Sequence, residues 1–199
     1  MLNARAPAQV LRIGQLVGDT AVGEWNATEG VPMMIQTAVT IGALPMLDEE
    51  MTWLPVDCAA AAIVELAGVA GNGHPSDPAV DLDTVYHVLN PRRFHWTRDM
   101  LPSLAKAGLE FERLPTDQWM ERLRGSDRDP AKNPPIKLLE WFESKYGHGK
   151  PATQGGGLVY LTDETRGRSE TLRNVPDVTE VGFVGMMLGR LRKHWANVG

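Results

Sequence analysis

Short aliphatic and β-branched runs that end in turn formers alternate along this chain with helical segments bounded by Gly and Pro. That alternation restricts the fold more than any other feature. Val10-Leu11-Arg12-Ile13-Gly14-Gln15-Leu16-Val17-Gly18 is an apolar run closed by Gly before polar Asp19 and Thr20, which predicts a buried strand feeding a loop. Pro32 in a first turn, Met33, Thr37, Ile41 and Leu44 at helical spacing, and Pro45 as a stop predict an amphipathic helix over 31–44. Residues 52–56 read as extended, with Asp57 as the N-cap of a helix through Ala67 that Gly68 closes. A strand is predicted over 84–89, and a helix capped by Thr97 reaches Ala107. An extended piece over 109–114 and a short helix opened by Pro115-Thr116-Asp117 follow. Ile136, Leu139, Trp141 and Phe142 mark a surface helix over 136–146, and Val184, Met187, Leu188, Leu191 and Trp195 mark a terminal helix over 179–195. Residues 71–82, 125–135 and 150–157 read as loops, and 158–161 as extended. There is no internal repeat, and the class is α/β.

Composition sets outer limits. Of the 199 residues, 43% are hydrophobic and 23% charged, enough apolar surface for a core and without the bias of a disordered chain. The 20 Lys and Arg against 25 Asp and Glu give a net charge of -5, which argues against nucleic acid as the principal partner. Cys58 stands alone in an Ala-rich stretch, so it reads as a small buried hydrophobe in a reducing, cytoplasmic setting. Residues 1–10 lack the apolar region of an export signal. The most apolar run, 58–71, is interrupted by Glu65 and is shorter than the roughly 18–20 residues that span a bilayer. Neither export nor a membrane anchor is expected, and the acceptor-like Asn26-Ala27-Thr28 therefore carries no consequence.

Two segments imitate chemistry that their context denies. Gly68-Val69-Ala70-Gly71-Asn72-Gly73 resembles a dinucleotide loop, but it follows a predicted helix, whereas such a loop must lie between a strand and the helix that holds the pyrophosphate. Tyr146-Gly147-His148-Gly149-Lys150 resembles the Tyr-x-x-x-Lys pair in which one helical turn sets Lys beside Tyr, but two glycines and Pro151 argue against the turn. His74, His87, His95, His148 and His194 fall at no ligand spacing, so no metal site is expected. No nucleophile elbow, Walker loop or zinc-protease helix occurs. The basic residues Arg190, Arg192 and Lys193 complement a helix macrodipole rather than marking a partner or membrane surface.

The 11–18 run, then Trp25-Asn26, then Trp53-Leu54-Pro55-Val56-Asp57 are followed in order by three further motifs. These are Tyr86-His87-Val88-Leu89-Asn90-Pro91, Phe94-His95-Trp96-Thr97 and Asn133-Pro134-Pro135-Ile136-Lys137-Leu138-Leu139. Together, over nearly the whole chain, they resemble the carboxyl-terminal part of the thioester reductase domain of nonribosomal-peptide-synthetase-like enzymes, which are extended short-chain dehydrogenase/reductases. The resemblance implies an enzyme of secondary metabolism that uses NADPH to reduce a carrier-bound acyl thioester to an aldehyde or alcohol. It also implies an α/β fold: an incomplete Rossmann-type sheet of late strands only, plus the mostly helical substrate-binding subdomain. In the family a Gly-rich loop and a Ser/Thr, Tyr, Lys catalytic set precede the strand that resembles 11–18, and this chain begins only a few residues before it. The expectation is a single partial domain over 1–199, inactive alone. Late Rossmann strands and helices interleaved with a substrate loop occupy 10–90, and mainly the substrate-binding subdomain occupies 91–199.

The same resemblance implies no catalytic residue here, a cofactor-facing strand end at Ile13, Gly14 and Gln15, and substrate contacts from Arg12, Gln15, Trp25, Asn26, Met33, Met34 and Thr37. NADP(H) belongs to the complete domain, with none expected on this chain alone. The implied partners are a carrier protein bearing a phosphopantetheine-linked acyl thioester and the missing amino-terminal half. Plainer readings stay open: Arg12 and Gln15 as satisfiers of neighbouring backbone groups, Trp25 as core, and a methionine stripe that on a helix is more often core. Asp57 reads as an N-cap rather than a catalyst. A non-catalytic carrier-protein or ligand-binding module is the alternative function, and a condensing, cyclising parent domain is a narrower third. Loss of central strands would forfeit apolar burial worth about 25 cal/mol per Å², which predicts marginal folding.

Overall fold

The computed structural model describes residues 9–68, 85–147 and 160–196. Along the chain come β1 (Val10–Ile13), β2 (Leu16–Val17), α1 (Gly30–Thr40), β3 (Ala43–Met46), β4 (Glu50–Met51), β5 (Leu54–Pro55) and α2 (Val56–Leu66). These are followed by β6 (Val85–Val88), β7 (Phe94–His95), α3 (Leu101–Lys106), β8 (Glu112–Pro115), α4 (Thr116–Arg124) and α5 (Leu139–Tyr146). The chain closes with α6 (Asp163–Arg168), α7 (Glu170–Arg173) and α8 (Val181–Ala196). A π-helical turn (Trp96–Met100) leads into α3, and a 3-10 turn (Pro134–Leu138) leads into α5. The pairs β1–β6, β2–β5 and β3–β8 are parallel, and β4–β7 is antiparallel. Parallel neighbours need crossovers, and the helices between them supply these, which is the α/β arrangement the alternation predicts.

The apolar run over 10–18 is not one buried strand. It changes neighbours at Gly14 and Gln15: the Gly14 N–H donates to Val88 O at 3.2 Å, and Gln15 O accepts from the Leu54 N–H at 3.0 Å. β1 is also largely exposed, with Val10 54% and Ile13 45% accessible, while Leu11 packs inward. The helix expected over 31–44 ends at Thr40, because Gly42 at φ +69° turns the chain into β3, which pairs with β8. Rather than amphipathic, α1 is buried without a break from Pro32 to Ala38. Asp57 is not an N-cap. It lies in the first turn of α2, and its carboxylate accepts hydrogen bonds from the Thr20 N–H, at 3.1 and 3.2 Å, and from the Thr20 hydroxyl. Thr97 is not a cap either: its hydroxyl donates to Leu47 O at 2.6 Å, and His95 Nδ1 accepts from the Arg98 N–H at the head of the π turn. The short α6 and α7 went unforeseen. The loop over 71–82, the Gly-rich imitation beyond Gly68 and the break over 150–157 lie outside the described residues, as do residues 158 and 159 of the extended piece.

Two apolar clusters hold the chain together. The larger gathers α1, α3, α4, α8 and an aromatic group, and the smaller gathers Leu54, Ala59, Ala62, Leu66, Tyr86 and Val88 with Leu172 and Val175. Glu65 staples α2 to the last part of the smaller cluster. It accepts from the Ser169 and Thr171 hydroxyls, the latter at 2.6 Å, and from the Thr171 N–H at 3.3 Å. Partial burial pushes this carboxyl up, but those bonds and the nearby Arg173 outweigh it and leave it below its ordinary value. A depressed carboxylate stabilises the fold above its unfolded value and loses that contribution as pH falls through the folded one. Glu65→Ala is therefore expected to lower unfolding stability in urea by about 1–3 kcal/mol at neutral pH. The gap from the parent protein should narrow in acid, below about pH 4.

Candidate functional site

The loop after β2 is organised by one carboxylate. Asp19 accepts from the backbone N–H groups of Ala21 (2.9 Å), Val22 (2.7 Å) and Glu24 (2.9 Å). These bonds, that from Val22 foremost, hold its carboxyl below the usual range. Gly23 sits at φ +72°, and a Cβ there would lie 2.8 Å from the Met187 backbone nitrogen, so only glycine lets the loop lie directly on α8. That contact brings Glu24 to the last turns of α8, where its carboxylate meets His194 Nε2 and, at 3.7 Å, Arg190. Gly23→Ala is expected to cost about 1–3 kcal/mol of stability in urea unfolding, since both the dihedral and the helix backbone oppose it.

The loop, α1, the 3-10 turn and the end of α8 enclose a cleft of about 370 Å³. Trp25, Asn26 and Ala27 form one wall and Met33 and Gln36 of α1 the next. Pro134 and Lys137 come from the 3-10 turn, and His194 and Trp195 from α8. The lining is mostly apolar, with a few polar groups among it, the usual makeup of a small-molecule site. Gln36 is only 5% exposed, and its carboxamide has no hydrogen-bond partner among the described residues. Lys137 is exposed and has no carboxylate partner among them. Asn26 uses its carbonyl to accept from Thr28 N and Oγ1, at 3.1 and 2.8 Å, which shapes the loop edge.

Sequence reasoning located part of this cleft. Trp25, Asn26 and Met33 line it. Trp25 serves as core as well: it is 4% exposed, and its ring stands edge-on to Trp53, centroids 5.4 Å apart. Met34 and Thr37 do not reach the cleft. Met34 is 1% exposed in the larger cluster, and Thr37 is fully buried with its hydroxyl accepting from Trp119 Nε1 at 3.0 Å and lying 2.7 Å from Met34 O and 2.8 Å from Ala43 O. Thr37→Val, which keeps the shape and removes the acceptor, is expected to cost about 1–3 kcal/mol in denaturant unfolding because it strands a buried indole N–H. Arg12, Ile13, Gly14 and Gln15 stand away from the lining. Arg12 is exposed, and Gln15 Nε2 donates to Leu16 O at 2.7 Å and to Glu29 Oε2 at 3.4 Å. Glu29 also accepts from Trp25 Nε1 at 3.2 Å, so it joins the strand end to the cleft wall. Sequence reasoning missed Glu29, Gln36, Lys137 and the Glu24–His194 pair. Lys137 lay within a motif already singled out, and His194 had been weighed only as a metal ligand and as part of the basic end of the last helix.

The remaining candidates are inert or incomplete. Burial, then Asp57, pushes the half-buried Cys58 thiol up to about 11, so it is neither fully buried nor a nucleophile at neutral pH. Burial, then the Glu49 carboxylate, pushes the Tyr146 phenol up, opposite to what a proton-donating tyrosine beside a lysine needs, and Lys150 lies outside the described residues. Among the described residues no three His, Cys, Asp or Glu side chains could hold a metal ion. No described helix is long and apolar enough to cross a membrane.

No protein-family model matches the chain. It is 36% identical over 166 residues to the citrinin polyketide synthase of Monascus ruber, covering 82% of this chain and 6% of that protein. Over 163 residues it is 32% identical to the non-canonical non-ribosomal peptide synthetase ascB of Acremonium egyptiacum, covering 81% of this chain and 14% of that protein. The chain thus spans a small fraction of its curated relatives. In structure it is similar to the terminal R domain from the myxalamid PKS-NRPS pathway, with a TM-score of 0.72 at 23% identity over 94% of this chain and 45% of that one. It is also similar to an archaeal thiolation-reductase di-domain, with a TM-score of 0.63 at 15% identity over 97% of this chain and 37% of that one. The short parallel strand pairs and helices are a partial Rossmann-like α/β fold.

Proposed function

Because the chain belongs with the carboxyl-terminal part of the thioester reductase domains of nonribosomal-peptide-synthetase-like enzymes, we propose that it is their substrate-handling portion. It would act in a cytoplasmic domain that uses NADPH to reduce a carrier-bound acyl thioester to an aldehyde or alcohol. In this reading 1–199 is one partial domain, with late Rossmann elements over 10–90 and the substrate-binding subdomain over 91–199. The observation that supports it is the cleft itself. It is preformed, apolar with a few polar groups, and tied through Glu29 to Gln15 at the strand end where the family places its cofactor.

The described residues do not by themselves fit a dinucleotide. None supplies a Gly-rich loop between a strand and a helix, and the Gln15 amide is committed to Leu16 O and Glu29. Ile13, Gly14 and Gln15 would form at most one edge of that site. The exposed Val10, Ile13 and Val85 on the β1–β6 pair suit a surface that further strands of the domain cover. Arg12, whose side chain is exposed and makes no hydrogen bond among the described residues, remains our candidate for a contact formed in the complete domain.

This reading predicts that the purified chain neither binds NADPH in calorimetry nor consumes it with a carrier-bound thioester. Adding the preceding segment of the domain in trans should restore NADPH oxidation. Saturable NADPH binding with turnover by the chain alone would overturn the reading, as would a folded, bound pair that reduces no carrier thioester. A loaded carrier protein that binds with an affinity unaffected by NADPH, in a pair without turnover, would favour a carrier-protein or ligand-binding module instead.

A further inference from the structure

Resting on the reading of the cleft as the place of the acyl group, we propose that Gln36 makes it selective for acyl chains bearing a hydroxyl or carbonyl oxygen, over plain alkyl chains of the same length. Gln36 is 5% exposed, projects from a helix buried on either side of it, lines the cleft, and has no hydrogen-bond partner among the described residues. The amide atoms of Gln36 are not among the fully buried unpaired polar atoms, so they open into the cleft, and a chain that fills it must replace the solvent hydrogen bonds they lose. The neighbouring walls, Trp25, Ala27, Met33 and Pro134, offer apolar surface for the body of a chain and no competing bond for that amide. The carboxamide can donate and accept, so it reads a hydroxyl and a ketone alike and gains nothing from a methylene. Lys137, at the 3-10 turn and without a carboxylate partner among the described residues, adds a second donor for an oxygen nearer solvent. A site built around an unmet hydrogen-bonding group rejects the ligand that lacks its complement more strongly than an apolar pocket rejects an added hydroxyl.

The test uses the full chain and small thioesters, with calorimetry as readout so that no turnover is needed. The probes are octanoyl-N-acetylcysteamine and its 3-, 5- and 7-hydroxy counterparts. At least one hydroxy isomer is expected to bind about tenfold more tightly than the octanoyl parent. In Gln36→Met, which keeps the length and removes the amide, that ratio should collapse to near one. Equal affinity for all four probes in the parent protein, or a preference that survives Gln36→Met, overturns the selectivity while leaving the cleft as the acyl site. Absence of binding by any probe to the folded chain overturns the acyl-site reading itself, and the selectivity with it. The parent-protein ratio needs no variant, so the proposal stays open to refutation even if Gln36→Met fails to fold.

Discussion

The structure depends on one extended segment that belongs to two cores at once. Successive side chains of a strand point to opposite faces, and at Trp53 and Leu54 that alternation sends the indole into the larger cluster and the leucine into the smaller one. Trp53 is 1% exposed, contacts Trp25, Phe94 and Trp96 edge-on or tilted, and has its carbonyl held by Asn90 Nδ2 at 2.8 Å. Leu54 bonds through its N–H to Gln15 O and so fixes where the first strand run changes partner. The sheet fragment and the helical portion are thereby set against each other by adjacent residues. The loop that carries Trp25 is positioned from the same point.

This arrangement explains what could be read from sequence. The helices α4 and α8 were legible from their apolar spacing and α2 from the glycine that closes it, Gly68, while Gly125 ends α4. α1 misled in its character: burial from Pro32 to Ala38 removes the polar face that periodicity looks for, and the run through Leu44 conceals a turn at Gly42. The split at Gly14 and Gln15 is invisible locally, since it is caused by Val88 and Leu54, far along the chain. Asp57 and Thr97 had the residue type of caps, but each was claimed by a distant partner, Thr20 in one case and Leu47 O in the other.

The cleft was half legible for a related reason. Trp25, Asn26 and Met33 were reached only through the family resemblance, not through composition or spacing. Gln36 carries no such signal. Its peculiarity is a missing partner, which exists only once the surrounding side chains have been placed. Glu29 and the Glu24–His194 contact likewise join residues that no spacing rule connects.

The motifs that identify the chain's relatives therefore sit mostly where the fold is fastened rather than where a substrate would be read. Trp53, Phe94 and Trp96 build the aromatic cluster, Asn90 holds a carbonyl, and Asn133, 2% exposed, ties the turn before Pro134 through Ser126 and Asp127 O. Residues with such duties tolerate little change, because removing one partner leaves a buried polar group or a cavity. The Gln36 amide has no such duty: it fastens no neighbouring group among the described residues and faces the cleft. An amide that holds no other part of the fold is free to answer to what enters the cleft, which makes it suited to distinguishing one acyl chain from another on a shared frame.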